Sequence, residues 1–515
     1  MAEHKVLITT SGIGSRLGKL TDFTNKSLVR IGDIPAISHI IEYYPIQTRF
    51  VITLGHYGNL VKQFLEITYP NRNFEFVEVD NFKGKGSSLG YSILQAKSNL
   101  QCPFIFHASD TIIENLEFNF ESNFCIGAKK NETSQYTTLM VTNGYIKKIN
   151  QKGELNFDYP YAGICGIKDY NIFWSKLENL YNENPEKTNL FEGDVINKML
   201  NECKFKFIET HDWYDMGNTT ELEKTRNHFG SSIEVLDKQN ESIYFFKDFV
   251  IKFFSDKKIN YDRVTRAKLL NKLVPNVVAS TDNFYRYEKA DGRLFSKSVN
   301  SDSFKTFLQW SKDNLWKEKT LDSIHQLCFD FYIKKTNKRI ESYLNNKKDQ
   351  PEIINGILIP PIEELLSKID VEWLCAGVPS NFHGDFILDN ILETNNGFCL
   401  LDWRQNFGNS LEIGDLYYDL AKLNHNLTVN HSIVDSGLFD HSNNNCHILC
   451  SSTLIECQKI LHQFIREEGY DLTKVKLLTS IIWLNMAPLH EYPFNNFLFR
   501  FGKYNLYKIL SNERH

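Results

Sequence analysis

From residue 5 onward the hydrophobic positions come in short β-rich runs separated by stretches of helical spacing. Val6-Leu7-Ile8-Thr9 reads as a strand, Ala36 to Tyr44 as a helix, Phe50-Val51-Ile52-Thr53 as a second strand, and Leu60 to Ile67 as a second helix. Phe74 to Val79, Ser88 to Ala96 and Phe104-Ile105-Phe106 continue the series. Such alternation is the pattern of βαβ units, and it predicts an α/β domain over residues 1–230 with a parallel sheet and helices on both faces. The pattern lapses around His228 to Ser232, and a second domain is expected to start near residue 232. There Ile243 to Phe246 and Phe249 to Phe254 read as antiparallel strands separated by Lys247-Asp248. The second domain, 231–515, is expected to be β-rich from about 235 to 292. From about 293 to 515 it is expected to be helical, interrupted by a strand-and-loop region from Phe382 to Asp402. No internal repeat or low-complexity linker breaks the chain.

At 515 residues and roughly 150 residues per domain, about three compact units are expected. With 42% hydrophobic and 23% charged residues, the composition excludes a disordered or fibrous chain. A net charge of -5 argues against a nucleic-acid or anionic-membrane footprint. The longest apolar stretch, around Leu477 to Trp483, falls short of the roughly 20 residues a membrane span needs. Met1-Ala2-Glu3-His4-Lys5 runs directly into a strand, so a cytoplasmic protein is expected. The ten cysteines are scattered, mostly within apolar runs, as buried free thiols would be. Cys446, His447 and Cys450 form a local cluster whose spacing fits a helix, but no second pair completes a zinc site.

Chemistry concentrates in two places. After the first strand comes Thr10-Ser11-Gly12-Ile13-Gly14-Ser15-Arg16-Leu17, where Gly12, Gly14 and Ser15 could let the backbone close on phosphate oxygens. Arg16 follows, and Lys26 stands ten residues later, so two cations could meet one polyphosphate. The small-residue loop Gly84-Lys85-Gly86-Ser87-Ser88-Leu89 suits close packing against a base or ribose, with Gly86 and Ser88 as the candidate contacts. Asp110 ends the apolar strand Phe104-Ile105-Phe106, at the position where α/β sheets bind ligands, and is a natural Mg²⁺ ligand. Trp213-Tyr214-Asp215-Met216-Gly217 offers a second carboxylate in Asp215. Two aspartates converging on Mg²⁺ beside a triphosphate point to attack on an α-phosphate.

In this order, together with Asn25-Lys26, Ser109-Asp110 and Tyr161-Ala162-Gly163-Ile164, the N-terminal motifs resemble the sugar-phosphate nucleotidyltransferases over essentially all of residues 1 to 228. The resemblance implies a Rossmann-like domain that joins an NTP to a phosphorylated small molecule and releases pyrophosphate. It assigns the triphosphate to Arg16 and Lys26, and Mg²⁺ to Asp110 and Asp215. It assigns the acceptor phosphate to Lys152, and the sugar side of the site to Gly163 and Glu192. Two departures stand out: Thr10-Ser11 replaces the family's Ala-Gly, and Asn25 replaces its proline. Ser88-Leu89 is closer to the phosphocholine-type cytidylyltransferases, which favours CTP.

The second place is Phe382-His383-Gly384-Asp385-Phe386-Ile387-Leu388-Asp389-Asn390, followed by Cys399-Leu400-Leu401-Asp402-Trp403. Phosphoryl transfer needs a carboxylate to orient and deprotonate the acceptor hydroxyl, and Asp385 supplies one; Asn390 and Asp402 could hold Mg²⁺. With Gly414-Asp415-Leu416-Tyr417-Tyr418-Asp419-Leu420-Ala421, this stretch resembles the aminoglycoside phosphotransferase and choline kinase superfamily. The implied fold is bilobal and protein-kinase-like, with ATP as co-substrate. Lys252, in Phe249-Val250-Ile251-Lys252, is the candidate ATP-anchoring lysine, although the helix expected from Asp262 to Leu273 contains no glutamate to pair with it. Arg404, Trp403 and Pro488 to Tyr492 are weak pointers to the acceptor.

The two resemblances together imply a bifunctional enzyme. One half phosphorylates a small alcohol or sugar with ATP, and the other transfers a nucleotidyl group onto the product, for surface or capsule polysaccharide synthesis. The alternative is a nucleotidyltransferase carrying a non-catalytic, nucleotide-binding regulatory module. No nucleic acid or membrane span is expected, and homo-oligomerisation is left open.

Overall fold

The computed structural model describes residues 4–117, 121–130, 134–154, 156–231, 239–321 and 323–512. The start of the second domain near residue 232, and of its β-rich part near 235, lies outside the described residues. The chain divides into two compact units, one of Met1–Lys257 with Val278–Tyr287 and one of Lys258–Val277 with Glu288–His515.

The first unit opens with β1 (Lys5–Thr9), α1 (Ala36–Tyr43), β2 (Arg49–Leu54), α2 (Gly58–Thr68), β3 (Asn73–Glu78), α3 (Leu89–Gln95) and β4 (Phe104–Ala108). These follow the sequence pattern closely. Val6 and Ile8 of β1 join one core with Ile37, Ile40, Val61 and Phe64 of α1 and α2. Leu7 joins another with Ile93 of α3, and this period of two is that of a strand buried on both faces. After β4 come β5 (Thr111–Ile113), β6 (Phe124–Ala128), β7 (Thr138–Thr142), β8 (Tyr145–Asn150) and β9 (Tyr159–Ile167). Then follow α4 (Tyr170–Glu183), α5 (Glu192–Met199), β10 (Lys206–Thr210), β11 (Trp213–Asp215) and α6 (Thr219–Phe229).

The main sheet has nine strands in the order β3-β2-β1-β4-β9-β6-β10-β8-β7. It is parallel from β3 to β4 and again between β6 and β10. The expectation of a wholly parallel sheet is corrected by β9, which runs antiparallel to β4 and β6, and by the β7–β8 hairpin. That hairpin turns on Asn143-Gly144, both at positive φ (52° and 75°). Two residues of this kind fit a tight I′ turn, which reverses the chain where a crossover helix would have kept it parallel.

A second sheet, β12 (Glu241–Phe245), β13 (Phe249–Phe254), β14 (Val277–Ser280) and β15 (Phe284–Glu288), has the order β12-β13-β15-β14. β12 and β13 are antiparallel, as the pattern indicates. The expected domain division at 230/231 differs from the compact units, because most of this sheet belongs to the first. Its apolar face, with Tyr244, Ile251, Phe253 and Phe284, shares the core of α1 and α2. The Phe64 ring lies 5.4 Å from Tyr244 and 5.9 Å from Phe284, contacts worth about 0.5–1.5 kcal/mol each beyond the area they bury. The Tyr244 hydroxyl donates to the Leu28 carbonyl at 2.7 Å, and Gln63 accepts from the Asn283 N–H at 3.0 Å.

The second unit begins with α7 (Lys257–Leu270, from Lys258), which starts earlier than the expected Asp262. Its other long helices are α8 (Ser301–Asn314), α9 (Lys335–Leu344), α10 (Leu416–Asn426), α11 (Ser452–Glu467), α12 (Leu472–Met486) and α13 (Phe494–Asn512). α12 is buried from Lys474 to Leu484 except at Lys476, which marks it as the helix the others surround. No helix among the described residues is long and apolar enough to cross a membrane. The strands Ile391–Thr394 and Gly397–Leu400 form an antiparallel hairpin, and Asp402 follows two residues later. The Cys446–Cys450 segment is not helical: His447-Ile448 pairs with Phe439-Asp440, and the helix begins only at Ser452.

Candidate functional site

β1 and β4 are neighbours with Thr9 opposite Ala108, so the segments that leave their carboxyl ends lie side by side. One is Thr10–Leu17 and the other carries Asp110. β11 pairs with β5 so that Asp215 stands opposite Thr111, and the Met216 N–H bonds the Asp110 carbonyl at 3.0 Å. This short ribbon brings together two aspartates 105 positions apart in the chain.

Around them the cations gather. Lys26 Nζ lies 3.0 Å from Asp110 Oδ2. The Arg16 guanidinium reaches the same neighbourhood, since a β-carbon on Gly217 would stand 3.6 Å from both its Nη atoms. Burial alone would raise the Asp110 pKa, but Lys26 and then Arg16 outweigh it and hold the carboxyl below its ordinary value. Asp215 moves the other way, raised by burial and by the negative charge of Asp110. The Gly217 N–H (2.9 Å) and the Tyr136 hydroxyl (3.0 Å) both donate to Asp215. Lys152, on the exposed turn after β8, lies within the field of Arg16, Asp110 and Asp215, and partial burial followed by Arg16 lowers its pKa.

Gly14 has φ 71°, and a β-carbon there would meet Lys26 Cβ at 2.9 Å, so only glycine lets this turn close over the Lys26 stem. At Gly12 a β-carbon would meet nothing, so the backbone there is open, and Ser15 is exposed at the start of the turn Ser15–Thr21. Asn25, fully buried, staples this region. Its amide donates to the carbonyls of Thr10 (2.8 Å) and His56 (2.6 Å), and its oxygen accepts from the Ser27 N–H (2.9 Å) and hydroxyl (2.8 Å). Thr10 and Ser11 also form internal hydrogen bonds, to Thr53 O and Ser92 Oγ, each at 2.7 Å.

Gly163 sits at an irregularity of β9, with a would-be β-carbon 3.1 Å from Ala108 Cβ, close to the Asp110 segment. Glu192, first residue of α5, is buried, and burial pushes its pKa to about 7. Asp110 adds to that rise, which puts both carboxyls in one electrostatic field. Gly86 packs against the Pro185 carbonyl, and Ser88 caps α3 by accepting the Tyr91 N–H at 3.0 Å. Two opposed carboxylates with a lysine and an arginine suit Mg²⁺, which keeps one or two protein carboxylates and takes its remaining oxygens from substrate phosphates and water.

Lys252 lies buried on β13 in the first unit, in register with Ile243. Asp385, Asn390 and Asp402 lie in the second. The Asn390 amide donates to the Asp385 carbonyl (2.9 Å) and to Asp385 Oδ2 (3.3 Å). Asp402 is held by Arg263 of α7. Lys422 Nζ pairs with Asp385 at 2.7 Å. Burial would raise the Asp385 pKa, but Lys422 overcomes it and holds the carboxyl at about 2.

The loop itself is fixed from below. Asp419 accepts the N–H groups of His383 and Gly384, each at 2.7 Å, and Arg266 donates to the carbonyls of Phe382, His383, Arg404 and Leu411. Trp403 is core, its indole N–H bonded to the Arg263 carbonyl at 2.8 Å. Sequence reasoning missed Tyr136, Lys422, Arg263 and Arg266. Lys422 alone had a usable signal, three residues after Asp419 on the α10 motif.

No family model matches the chain. It is 24% identical over 241 residues to the bifunctional protein GlmU of Methanococcus vannielii, covering 44% of this chain and 55% of that protein. It is 26% identical over 170 residues to the bifunctional protein GlmU of Campylobacter lari, covering 32% and 39%. The chain therefore spans about half the length of the first of these relatives and less of the second. Among solved structures, it resembles a putative glucose-1-phosphate thymidylyltransferase from Bacillus anthracis at 18% identity and TM-score 0.38, over 46% of this chain and 98% of that one. It also resembles the CTP:phosphocholine cytidylyltransferase of Streptococcus pneumoniae at 16% identity and TM-score 0.38, over 45% and 100%. A third is the inositol-1-phosphate CTP transferase of T. maritima, at 15% identity and TM-score 0.36, over 46% and 99%. The sheet order and crossovers of the N-terminal half are Rossmann-like α/β.

Proposed function

We propose that the first unit transfers a nucleotidyl group from an NTP, CTP favoured, to a phosphorylated small molecule with release of pyrophosphate. The observation that carries this reading is the convergence of Asp110 and Asp215 with Arg16, Lys26 and Lys152 beyond the carboxyl ends of β1 and β4. Arg16 and Lys26 would bind the triphosphate, and Asp110 and Asp215 would hold Mg²⁺, which lowers the charge barrier to attack on the α-phosphate. Lys152 would receive the acceptor phosphate, and Gly163 and Glu192 would shape the sugar side. The chain's similarity to the GlmU proteins is in keeping with this chemistry.

The second unit, in the same reading, is kinase-like. Asp385 accepts the proton of an alcohol or sugar, and Asn390 and Asp402 hold Mg²⁺; Lys252, expected from the sequence to anchor ATP, belongs to the first unit. The hydrogen bonds joining Asp385 to Asn390 and the Lys422 pair support it. The phosphorylated product then feeds the first unit, for surface or capsule polysaccharide synthesis. A second reading, a nucleotide-binding module without chemistry, is favoured by one observation: α7 has no glutamate, and its Arg263 occupies Asp402.

Mass spectrometry of a metabolite panel with ATP, Mg²⁺ and CTP, UTP or GTP tests both steps. Asp215→Ala should abolish pyrophosphate release and spare ADP formation, and Asp385→Ala should do the reverse. If either folded variant lost both reactions when ATP, Mg²⁺, CTP and the phosphorylated acceptor were all supplied, the two-site reading would be wrong. A wild-type protein that forms no ADP in a single turnover would establish the non-catalytic module instead.

A further inference from the structure

Beside Asp385 the second unit gathers more cations than its acids pair with. A cavity of about 410 Å³ is lined by Asp330, Phe331, Lys334, Lys335 and Arg404, among others. Asp330 and Lys334 neutralise each other at 2.6 Å. Lys335 Nζ lies 3.9 Å from the Phe331 ring centre and 5.9 Å from that of Tyr418, while Arg404 Cζ lies 4.9 Å from the same Phe331 ring. Arg404 is anchored to the Asp385 loop: its N–H donates to the His383 carbonyl at 3.0 Å, and its stem presses on Gly384. A β-carbon on Gly384, whose φ is 87°, would stand 2.6 Å from Arg404 Cβ. Among the described residues the guanidinium donates only through Nε, to the Asn406 carbonyl at 3.1 Å. Arg339 stands four residues after Lys335 on α9, on the same face of the helix, and adds a third cation; burial first, then Arg404, Arg339 and Lys422, lower the Lys335 pKa, and Asp385 opposes them. Among the described residues, no carboxylate pairs with Lys335, Arg339 or Arg404.

Like charges gathered in one place repel one another, and they persist where a counter-charge arrives. We propose that Lys335, Arg339 and Arg404 bind an anionic group, phosphate or carboxylate, carried by the phosphoryl acceptor, and so present its hydroxyl to Asp385. This rests on the kinase-like reading of Asp385. The acceptor oxygen bonds to the γ-phosphorus of ATP as Asp385 takes its proton. The bond from that phosphorus to the bridging oxygen breaks, and ADP leaves with the electron pair. The acceptor is thus an acidic or already phosphorylated alcohol. A quaternary amine or aminoglycoside would meet repulsion here.

The test measures ADP release by the full chain with ATP and Mg²⁺ on matched acceptors. One set is glycerol, D-glycerate and glycerol 3-phosphate; a second is glucose, glucuronate and glucose 1-phosphate; choline is the cationic control. The anionic members should exceed their neutral parents by about tenfold or more in kcat/KM, the worth of one charge-assisted hydrogen bond. The carboxylate and phosphate arms tell which anion is taken. Arg404→Gln and Lys335→Met should erase that preference, and Arg404→Lys should retain part of it; a merely structural loss would lower all acceptors alike. Preference for neutral or cationic acceptors, or preference that survives both substitutions, overturns the proposal. Should Lys335→Met not fold, Arg339→Gln takes its place. If no acceptor yields ADP, the kinase-like reading fails, and calorimetric titration of the full chain with inorganic phosphate and D-glycerate decides the anion site. Binding that Arg404→Gln abolishes sustains the site, and no binding to the folded protein overturns it.

Discussion

Asn25 occupies a place where the resembling nucleotidyltransferases have proline, and its neighbours show what the change accomplishes. Its side chain makes four hydrogen bonds, two donated to the Thr10 and His56 carbonyls and two accepted from Ser27. Asn25 and Ser27 are both fully buried, so groups released by truncation find no water. At about 1 kcal/mol net per bond, Asn25→Ala should cost about 4 kcal/mol, out of a total near 5–15 kcal/mol for a domain. For a unit of this size that corresponds to a fall of about 8–16 °C in the first unit's unfolding midpoint. Asn25→Asp keeps the two accepted bonds but turns a buried carboxylate oxygen toward the Thr10 and His56 carbonyls, so it should cost at least as much as alanine, as should Asn25→Pro. Differential scanning calorimetry reads the midpoint, and pyrophosphate release at varied CTP reads the site. The KM for NTP should rise, because Asn25 ties the Thr10 segment to the turn carrying Lys26. A loss below about 1 kcal/mol for Asn25→Ala would refute the reasoning, since it would mean that buried hydrogen bonds do not hold this turn.

Other expectations follow from the same geometry. Glu192 is buried with its pKa raised from 4.5 to about 7, so the native state holds a proton that the unfolded state has released. The first unit should therefore lose about 3 kcal/mol of stability as pH rises from about 4.5 through 7, and Glu192→Gln should flatten that slope in a denaturation series. Asp385 is held at about 2 by Lys422 against burial, so it stays ionised throughout the neutral range. In Lys422→Met burial acts unopposed, and the acid limb of kcat/KM for ADP formation should move to higher pH; an unmoved limb would remove Lys422 from the site. Gly384→Ala places a β-carbon 2.6 Å from Arg404 Cβ at φ 87°. It should cost about 1–3 kcal/mol of strain and reduce ADP formation, as measured by thermal unfolding and a coupled assay.

Much of the first unit was legible because its strands are buried on both faces and its helices on one, which writes two distinct periods into the sequence. The elements from Val6 to Phe106 lie within a few residues of their expected positions. The antiparallel half was less legible, although Asn143-Gly144 between two apolar runs carried a hairpin signal. The division of the second sheet could not be read locally. Whether Tyr244 and Phe284 pack on one neighbour or another depends on which apolar face is within reach, and strand patterning records only that a face is apolar.

The same line separates the chemistry. Sequence alone singled out which polar residues stand at unusual positions: Arg16, Lys26, Asp110, Asp215, Asp385, Asn390 and Asp402. These stand out because a charged group at the end of an apolar strand has little packing reason to be there. Tertiary structure alone decided their partners. Asp215 reaches Asp110 through a two-stranded ribbon, Lys422 neutralises Asp385 from a helix 37 residues on, and Arg404 joins Lys335 from across the fold with no acid between them. Electrostatic roles are set by distance and burial, and both quantities come into being only when segments remote in sequence are packed together.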